Sequence, residues 1–148
     1  EVKQETYKAT IPSHNHQESI LCAEAVATSI FLLRNGISKE ELKEYIEKNY
    51  FKLDYDLEKL RRNYKFSSKS IDSVPQAIYT FLESNSFEET IRLAIYLGGD
   101  ADTQAAIAGS IAEAFYGIPT SFVGAVEKRL DKTLLDVLNQ FNNKYNNE

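Results

Sequence analysis

The sequence has no methionine, no tryptophan and a single cysteine, Cys22, among its 148 residues. One thiol cannot form a disulfide within the chain, so the disulfide frameworks typical of small secreted domains are excluded. We therefore expect a reduced, cytoplasmic setting. Because methionine is absent, we also expect the chain to be a fragment or a processed piece of a longer protein.

Long apolar runs and clusters of basic residues are also absent. No apolar run approaches the ~20 residues that a membrane-spanning helix needs, so we expect no membrane partner. The formal net charge is −5, and the lysines and arginines are scattered, which leaves no basic stripe for a phosphate backbone. We therefore expect no nucleic-acid partner. The abundance of Lys, Asn, Ile and Tyr is compatible with a bacterial origin.

The sequence does contain enough apolar residues to build a core. Hydrophobic residues make up 43% of a chain of ordinary domain length, so we expect one domain over residues 1–148. Apolar residues recur at helical spacing, whereas no alternating strand pattern extends beyond a few residues. The sequence therefore predicts an all-α fold, a compact multi-helix orthogonal bundle.

Capping and stop signals predict where the helices lie. Residues 1–16 lack periodicity and contain Pro12, so we expect an extended lead-in. The first helix is predicted from Gln17 to Arg34, before an Asn-Gly stop, and a Ser38/Glu41 capping box predicts the start of the next. Further helices are predicted near 57–62, from Pro75 to about 84, after Ser86 to 97, from Asp102 or Thr103 to Tyr116, and near 121–130 and 131–145.

Two aspartates one residue apart, Asp100 and Asp102, follow two glycines where a helix of small residues begins. One interpretation is a helix junction, in which the glycines end one helix and Asp102 caps the next. That interpretation leaves Asp100 without a role. If the backbone is extended here, both carboxylates point the same way beside the Thr103 hydroxyl, an arrangement that favours Mg²⁺ or Mn²⁺. Spacing alone leaves both interpretations open.

A second polar cluster, Ser13, His14 and His16, stands immediately before the first predicted helix. Zinc bound by the histidines with Cys22 or Glu18 is one interpretation, but a second closely spaced ligand pair is lacking. Another is a helix entry capped by a serine or an asparagine. A third is a ligand pocket in which a histidine and backbone amides bind a ribose or a phosphate. The spacing does not distinguish the last two.

Three motifs, taken in order, resemble the ADP-ribosylglycohydrolase family over nearly the whole chain. They are "SHNH", "SVPQAIYTFLES" and "AIYLGGDADTQAAIAGSIAEAFYGIP", of which the last is the most specific. The resemblance implies a partial ADP-ribosylglycohydrolase fold and an all-α enzyme that uses two Mg²⁺ or Mn²⁺ ions. Its implied substrate is an ADP-ribosylated protein or a related conjugate, from which the enzyme removes ADP-ribose by hydrolysis.

The resemblance also implies roles for particular residues. It implies three metal ligands, Asp100, Asp102 and Thr103. It implies three residues that line the ADP-ribose pocket, Ser13, His14 and His16. Many relatives have "HNHPEG" where this chain has "HNHQES", so we expect the turn after His16 to differ.

The family's amino-terminal half carries a Gly-Asp motif and a Thr-Asp-Asp motif that complete the metal shell. Nothing in residues 1–148 corresponds to these motifs. We therefore expect this chain to be the carboxy-terminal half of such an enzyme and to need the amino-terminal half as its partner. The general base is expected outside this chain, and the isolated chain is expected to be weak or inactive.

Two other functions stay open at this point. The first is a non-catalytic ADP-ribose-binding module, which predicts nucleotide binding without turnover. The second is a helical interaction module in which the aspartates only cap a helix. That module predicts no effect of metal on stability, whereas a ligand that binds only the folded state must raise it.

Overall fold

A computed structural model describes residues 1–145, and these form nine α-helices and one short 3₁₀ helix with no β-strand. The all-α prediction is confirmed. The helices are α1 (Val2–His14), α2 (Gln17–Arg34), α3 (Lys39–Asn49), α4 (Leu57–Asn63), α5 (Val74–Glu83), α6 (Phe87–Leu97), α7 (Ala101–Tyr116), α8 (Thr120–Glu127) and α9 (Lys132–Tyr145), with the 3₁₀ helix at Ser70–Asp72.

The chain divides into two compact units, Glu1–Gly117 and Ile118–Glu148. The first unit contains α1 to α7, and the second contains α8 and α9. The expectation of one domain over residues 1–148 stays a prediction. None of the helices in the described part of the chain combines the length and the apolar character that crossing a membrane requires.

The amino-terminal segment is helical, so the prediction of an extended lead-in over residues 1–16 is wrong. Helix α1 includes Pro12, which removes a backbone donor only in the last turn. None of its residues is fully buried, which explains why its own sequence shows no apolar periodicity. Contacts with α2 stabilise it instead, and Lys3 lies 3.7 Å from Glu24 of that helix. The segment before His16 is therefore a helix that ends at His14.

The core of the first unit lies among helices α2, α3, α5 and α7. Its main cluster includes Phe81 and Ile78 of α5, Ile111 of α7 and Leu42 of α3, all fully buried. A second cluster of three alanines lies where α5, α6 and α7 meet, and it consists of Ala77, Ala94 and Ala108. Because alanine side chains are short, these helices approach closely, as the small-residue pattern of α7 predicts.

Side-chain caps define several helix starts. The Ser38/Glu41 capping box is confirmed, with the Glu41 N–H donating to Ser38 Oγ at 3.2 Å and the Ser38 N–H to Glu41 Oε2 at 2.8 Å. The Ser86 hydroxyl accepts from the Glu89 N–H at 3.1 Å, as predicted. The Glu89 carboxylate, however, accepts from the Asn85 N–H at 2.6 Å. In the predicted Ser86/Glu89 capping box, the Glu89 carboxylate therefore binds the N–H of the residue before the cap instead of the N–H of Ser86.

The second unit consists of two short amphipathic helices. Asp131 begins the second of them, since its carboxylate accepts from the Leu134 N–H at 3.0 Å. Along α9 the large apolar side chains recur at helical spacing, and the rings of Phe141 and Tyr145 lie 4.8 Å apart. Both segments were predicted, although α8 ends at Glu127, earlier than expected.

Candidate functional site

One cleft in the first unit is lined by members of both polar clusters that the sequence singles out, although Asp102 and Ser13 are not part of its lining. Its volume is about 540 Å³. His14 and His16 line it from the α1–α2 junction, and Asp100 and Thr103 line it from the start of α7. Helix α2 packs against α7, which is why segments so distant in sequence meet here.

A tight turn of two glycines leads from α6 to Asp100. Gly98 and Gly99 have φ angles of +80° and +67°, a left-handed conformation that other residues rarely adopt. A Cβ atom at Gly99 would lie 2.5 Å from Cε1 of the Tyr64 ring. The Tyr64 hydroxyl donates to the Asp72 carbonyl, so the ring is held in place. Gly99 is therefore required by both its backbone angle and its neighbour.

Helix α7 begins at Ala101, earlier than predicted. Asp100 is the residue that precedes it, and the Asp100 carbonyl accepts from the Gln104 N–H at 3.0 Å. Asp102 therefore lies in the first turn, and the interpretation of Asp102 as the cap is wrong. The extended backbone considered for this segment is also not found, since Asp100 has φ −84° and ψ 65° and a helix follows at once.

The two carboxyl groups nevertheless contact each other. The pKa of Asp102 is held below its ordinary value, first by its hydrogen-bond interaction with the Asp100 carboxyl group and then by the backbone N–H groups of Thr103 and of Asp102 itself. In the described chain no lysine or arginine forms an ion pair with either aspartate. A pair of adjacent carboxyl groups without a protein cation is a suitable place for a divalent ion.

The chemistry of these donors fits Mg²⁺ or Mn²⁺. Both ions prefer oxygen ligands, and the start of α7 offers two carboxylates and the exposed Thr103 hydroxyl. The described residues contain no group of three or more His, Cys, Asp or Glu side chains placed to hold an ion. The same finding gives the zinc interpretation no support, and Cys22 is buried in the core with 1% of its surface exposed.

Gln104 supports this turn, although the sequence analysis did not single it out. Its Nε2 donates to the Gly98 carbonyl at 2.9 Å and approaches the Asp100 carbonyl at 3.4 Å. The side chain is fully buried, and its Oε1 has no hydrogen-bond partner within the part of the chain that the structure describes. The signal that could have indicated this role is a glutamine four residues after Asp100, among small apolar residues of α7.

Ser13 plays a different part from the two histidines. Its hydroxyl lies 2.8 Å from Nδ1 of His14, so it is placed to orient that ring. Ser13 itself lines a neighbouring groove with Cys22 and Ile107. His16 is exposed, and its Nδ1 lies 4.0 Å from a carboxylate oxygen of Glu18.

A serine-rich loop, residues 67–73, forms another wall of the cleft, and the sequence analysis gave it no functional role. Ser67 donates to the Asp72 carboxylate at 2.7 Å, which closes the loop on itself. Ser70 lies beside Cys22, whose pKa is raised by burial and lowered to a smaller extent by the Ser70 hydrogen bond. The signal for this wall was the composition of the loop, rich in hydroxyl groups and containing Lys69.

Comparison with solved structures gives the class of fold. The chain is similar to a structure titled "ADP-ribosylglycohydrolase-related protein complex", with a TM-score of 0.59 and 27% identity. The match covers 76% of this chain and 43% of that one. The fold therefore corresponds to part of a larger all-α protein.

Sequence comparison gives the family. The model of the ADP-ribosylglycohydrolase family matches residues 1–147, so the chain belongs to that family. The chain is 31% identical over 117 residues to ADP-ribosylarginine hydrolase Tri1 of Pseudomonas putida (strain GB-1), a match that covers 72% of this chain and 30% of that protein. It is 43% identical over 60 residues to ADP-ribosylhydrolase ARH3 of Homo sapiens, covering 33% of this chain and 16% of that protein. The chain thus spans less than half the length of these relatives.

Proposed function

We propose that this chain supplies half of an active site for metal-dependent hydrolysis of the glycosidic bond that links ADP-ribose to a modified protein side chain or a related conjugate. The observation that carries the proposal is the cleft, where His14 and His16 meet Asp100 and Thr103. Membership of the family, and the hydrolase names of the relatives, support ADP-ribose as the ligand.

In this proposal Asp100, Asp102 and Thr103 hold Mg²⁺ or Mn²⁺ in a site of two ions. Bound divalent ions would supply a charge that orients the ribose hydroxyls and the attacking water for hydrolysis through an oxocarbenium-like transition state. Two carboxylates and a hydroxyl are too few protein ligands for a complete six-coordinate shell. The remaining ligands and the general base are proposed to come from the segment that corresponds to the family's amino-terminal half.

The histidines are proposed to bind the ADP-ribose itself. Both are exposed at the cleft, where a ring N–H can donate to a ribose hydroxyl or a phosphate oxygen. Ser13 holds the His14 ring by its hydrogen bond to Nδ1. The named relatives include an arginine hydrolase, but the conjugate attacked here is proposed only as a class, an ADP-ribosylated protein or small molecule in the cytoplasm.

The proposal is tested by Mn²⁺ titration calorimetry on the chain, with and without ADP-ribose. We expect saturable Mn²⁺ binding that Asp102→Ala weakens by at least about tenfold, since it removes one charged ligand. Asp54→Ala is the matched control because it removes an exposed carboxylate that is not part of the cleft lining. Undiminished binding by Asp102→Ala, or no saturable binding by the wild-type chain, would contradict the metal site.

A further inference from the structure

Lys69 differs from every other residue of the cleft in its charge. Of the described residues that line the cleft, it alone is a lysine or an arginine. The other fixed charges on this lining belong to Glu18 and Asp100, which are both acidic. Lys69 is therefore the permanent positive charge that the chain places in an otherwise acidic site.

The Lys69 ammonium group is available to a ligand. It takes part in none of the ion pairs or side-chain hydrogen bonds formed by the described residues. Other lysines of the chain are engaged, such as Lys59 with Asp56 at 3.5 Å. An exposed lysine is ordinarily only solvated, and what distinguishes Lys69 is its place in the cleft.

The loop that carries Lys69 is held by its own hydrogen bonds. The Lys69 backbone N–H donates to Ser67 Oγ at 3.2 Å, and that hydroxyl donates in turn to Asp72 at 2.7 Å. The Tyr64 hydroxyl fixes the Asp72 carbonyl from the other side. The backbone of the loop is therefore set by internal contacts, and the Lys69 side chain extends from a defined position.

We propose that Lys69 binds the diphosphate of ADP-ribose and makes this cleft selective for a nucleoside diphosphate. The inference rests on the function proposed above. A diphosphate entering the cleft meets the negative charge of Glu18, and an ammonium beside the serine hydroxyls offsets that repulsion, while the charge of Asp100 is offset by the divalent ions proposed above. Lysine suits this role because its compact charge and three donors reach any of several phosphate oxygens.

The test is titration of ADP-ribose into the chain at saturating Mn²⁺, with adenosine as a probe that lacks phosphate. We expect Lys69→Ala to weaken ADP-ribose binding by about tenfold, the loss of one charge-assisted hydrogen bond. Lys69→Arg should stay within about threefold of the wild-type chain because it keeps the charge. Lys48→Ala, an exposed lysine of α3 outside the cleft lining, is the matched control and should have no effect.

The outcomes separate this inference from the proposed function. A loss by Lys69→Ala that is confined to ADP-ribose and reduced at high salt supports it. Equal ADP-ribose affinity in Lys69→Ala and the wild-type chain overturns the role of Lys69 and leaves the proposed function standing. If Lys69→Ala also weakens adenosine binding, or lowers the unfolding midpoint, Lys69 has a structural role and the inference is overturned too. No ADP-ribose binding by the wild-type chain overturns both.

Discussion

Gly99 shows how one residue without a side chain determines the geometry of the site. Its left-handed backbone turns the chain from α6 toward Asp100, and the Tyr64 ring occupies the space where a Cβ atom would lie. The pKa of Tyr64 is raised chiefly by burial, with smaller contributions that include the nearby Asp100 charge. Tyr64 thus connects the aspartate turn to the loop that carries Lys69.

We predict that Gly99→Ala destabilises the chain by roughly 2–3 kcal/mol, because left-handed strain adds to displacement of the Tyr64 ring. Equilibrium urea unfolding followed by circular dichroism measures this loss. Gly36→Ala is the matched control, since Gly36 has φ +85° but nothing lies within 4 Å of its Cβ position. It should lose only about 1 kcal/mol.

The Tyr64 contribution can be isolated with a double-mutant cycle. In a Tyr64→Ala background, Gly99→Ala should lose no more stability than Gly36→Ala does, because only backbone strain remains. Equal losses for the two glycines in the wild-type background would show that the Tyr64 ring moves away without cost.

At the scale of helices, Lys39 joins the start of α3 to the end of α5. Its Nζ donates to the Phe81 carbonyl at 2.9 Å and to the Leu82 carbonyl at 3.3 Å, and it also contacts the Ser84 carbonyl. The same ammonium lies 4.8 Å from the centre of the Phe81 ring and 5.1 Å from that of Tyr116. Lys39 therefore adds a charged donor to the carbonyls at the end of α5. The Phe81 carbonyl also accepts from the Ser84 hydroxyl, and the Ser84 carbonyl also accepts from the Tyr116 hydroxyl.

We predict that Lys39→Met destabilises the chain by about 2 kcal/mol, since the carbonyls lose a charged donor while the apolar contacts of the stem are kept. Urea unfolding measures the loss, with Lys48→Met on the same helix as the control. Lys48 is exposed near the end of α3, so its substitution should change the free energy of unfolding by less than about 0.5 kcal/mol. Similar values for the two variants would contradict the role of Lys39.

At the scale of the whole molecule, the candidate site and the core belong to the same unit. Both core clusters draw their residues from the first unit, as do all the cleft residues. Helices α8 and α9 of the second unit contain no fully buried residue among those described. Burial of apolar surface, the main source of stability, is therefore concentrated before Ile118.

We predict that a truncated chain of residues 1–117 still unfolds cooperatively and binds Mn²⁺ within about threefold of the complete chain. Thermal unfolding and Mn²⁺ titration calorimetry on the two chains test this. A truncated chain that lost its cooperative transition would show that the second unit is needed for folding. Retained folding with loss of Mn²⁺ binding would show that the second unit contributes to the metal site.

Features that depend on near neighbours along the chain are predictable from the sequence alone. Helical periodicity, the Ser38/Glu41 capping box and the glycine turn predicted the all-α class and most helix boundaries correctly. These signals succeed because caps, φ angles and side-chain spacing act within one or two helical turns. The proximity of the two aspartates was also predictable, although the cap assignment was wrong by two residues.

Which distant segments share a site depends on how the helices pack, and the sequence does not show it. Helix α1 forms by contact with α2, so its own residues carried no signal. The packing of α2 against α7 places His14 and His16 at one cleft with Asp100 and Thr103, and the same cleft receives Lys69 from a loop that sequence patterns describe only as irregular. Periodicity records which face of a helix is buried but not which helix covers it, and for that reason the site emerged only from the packing.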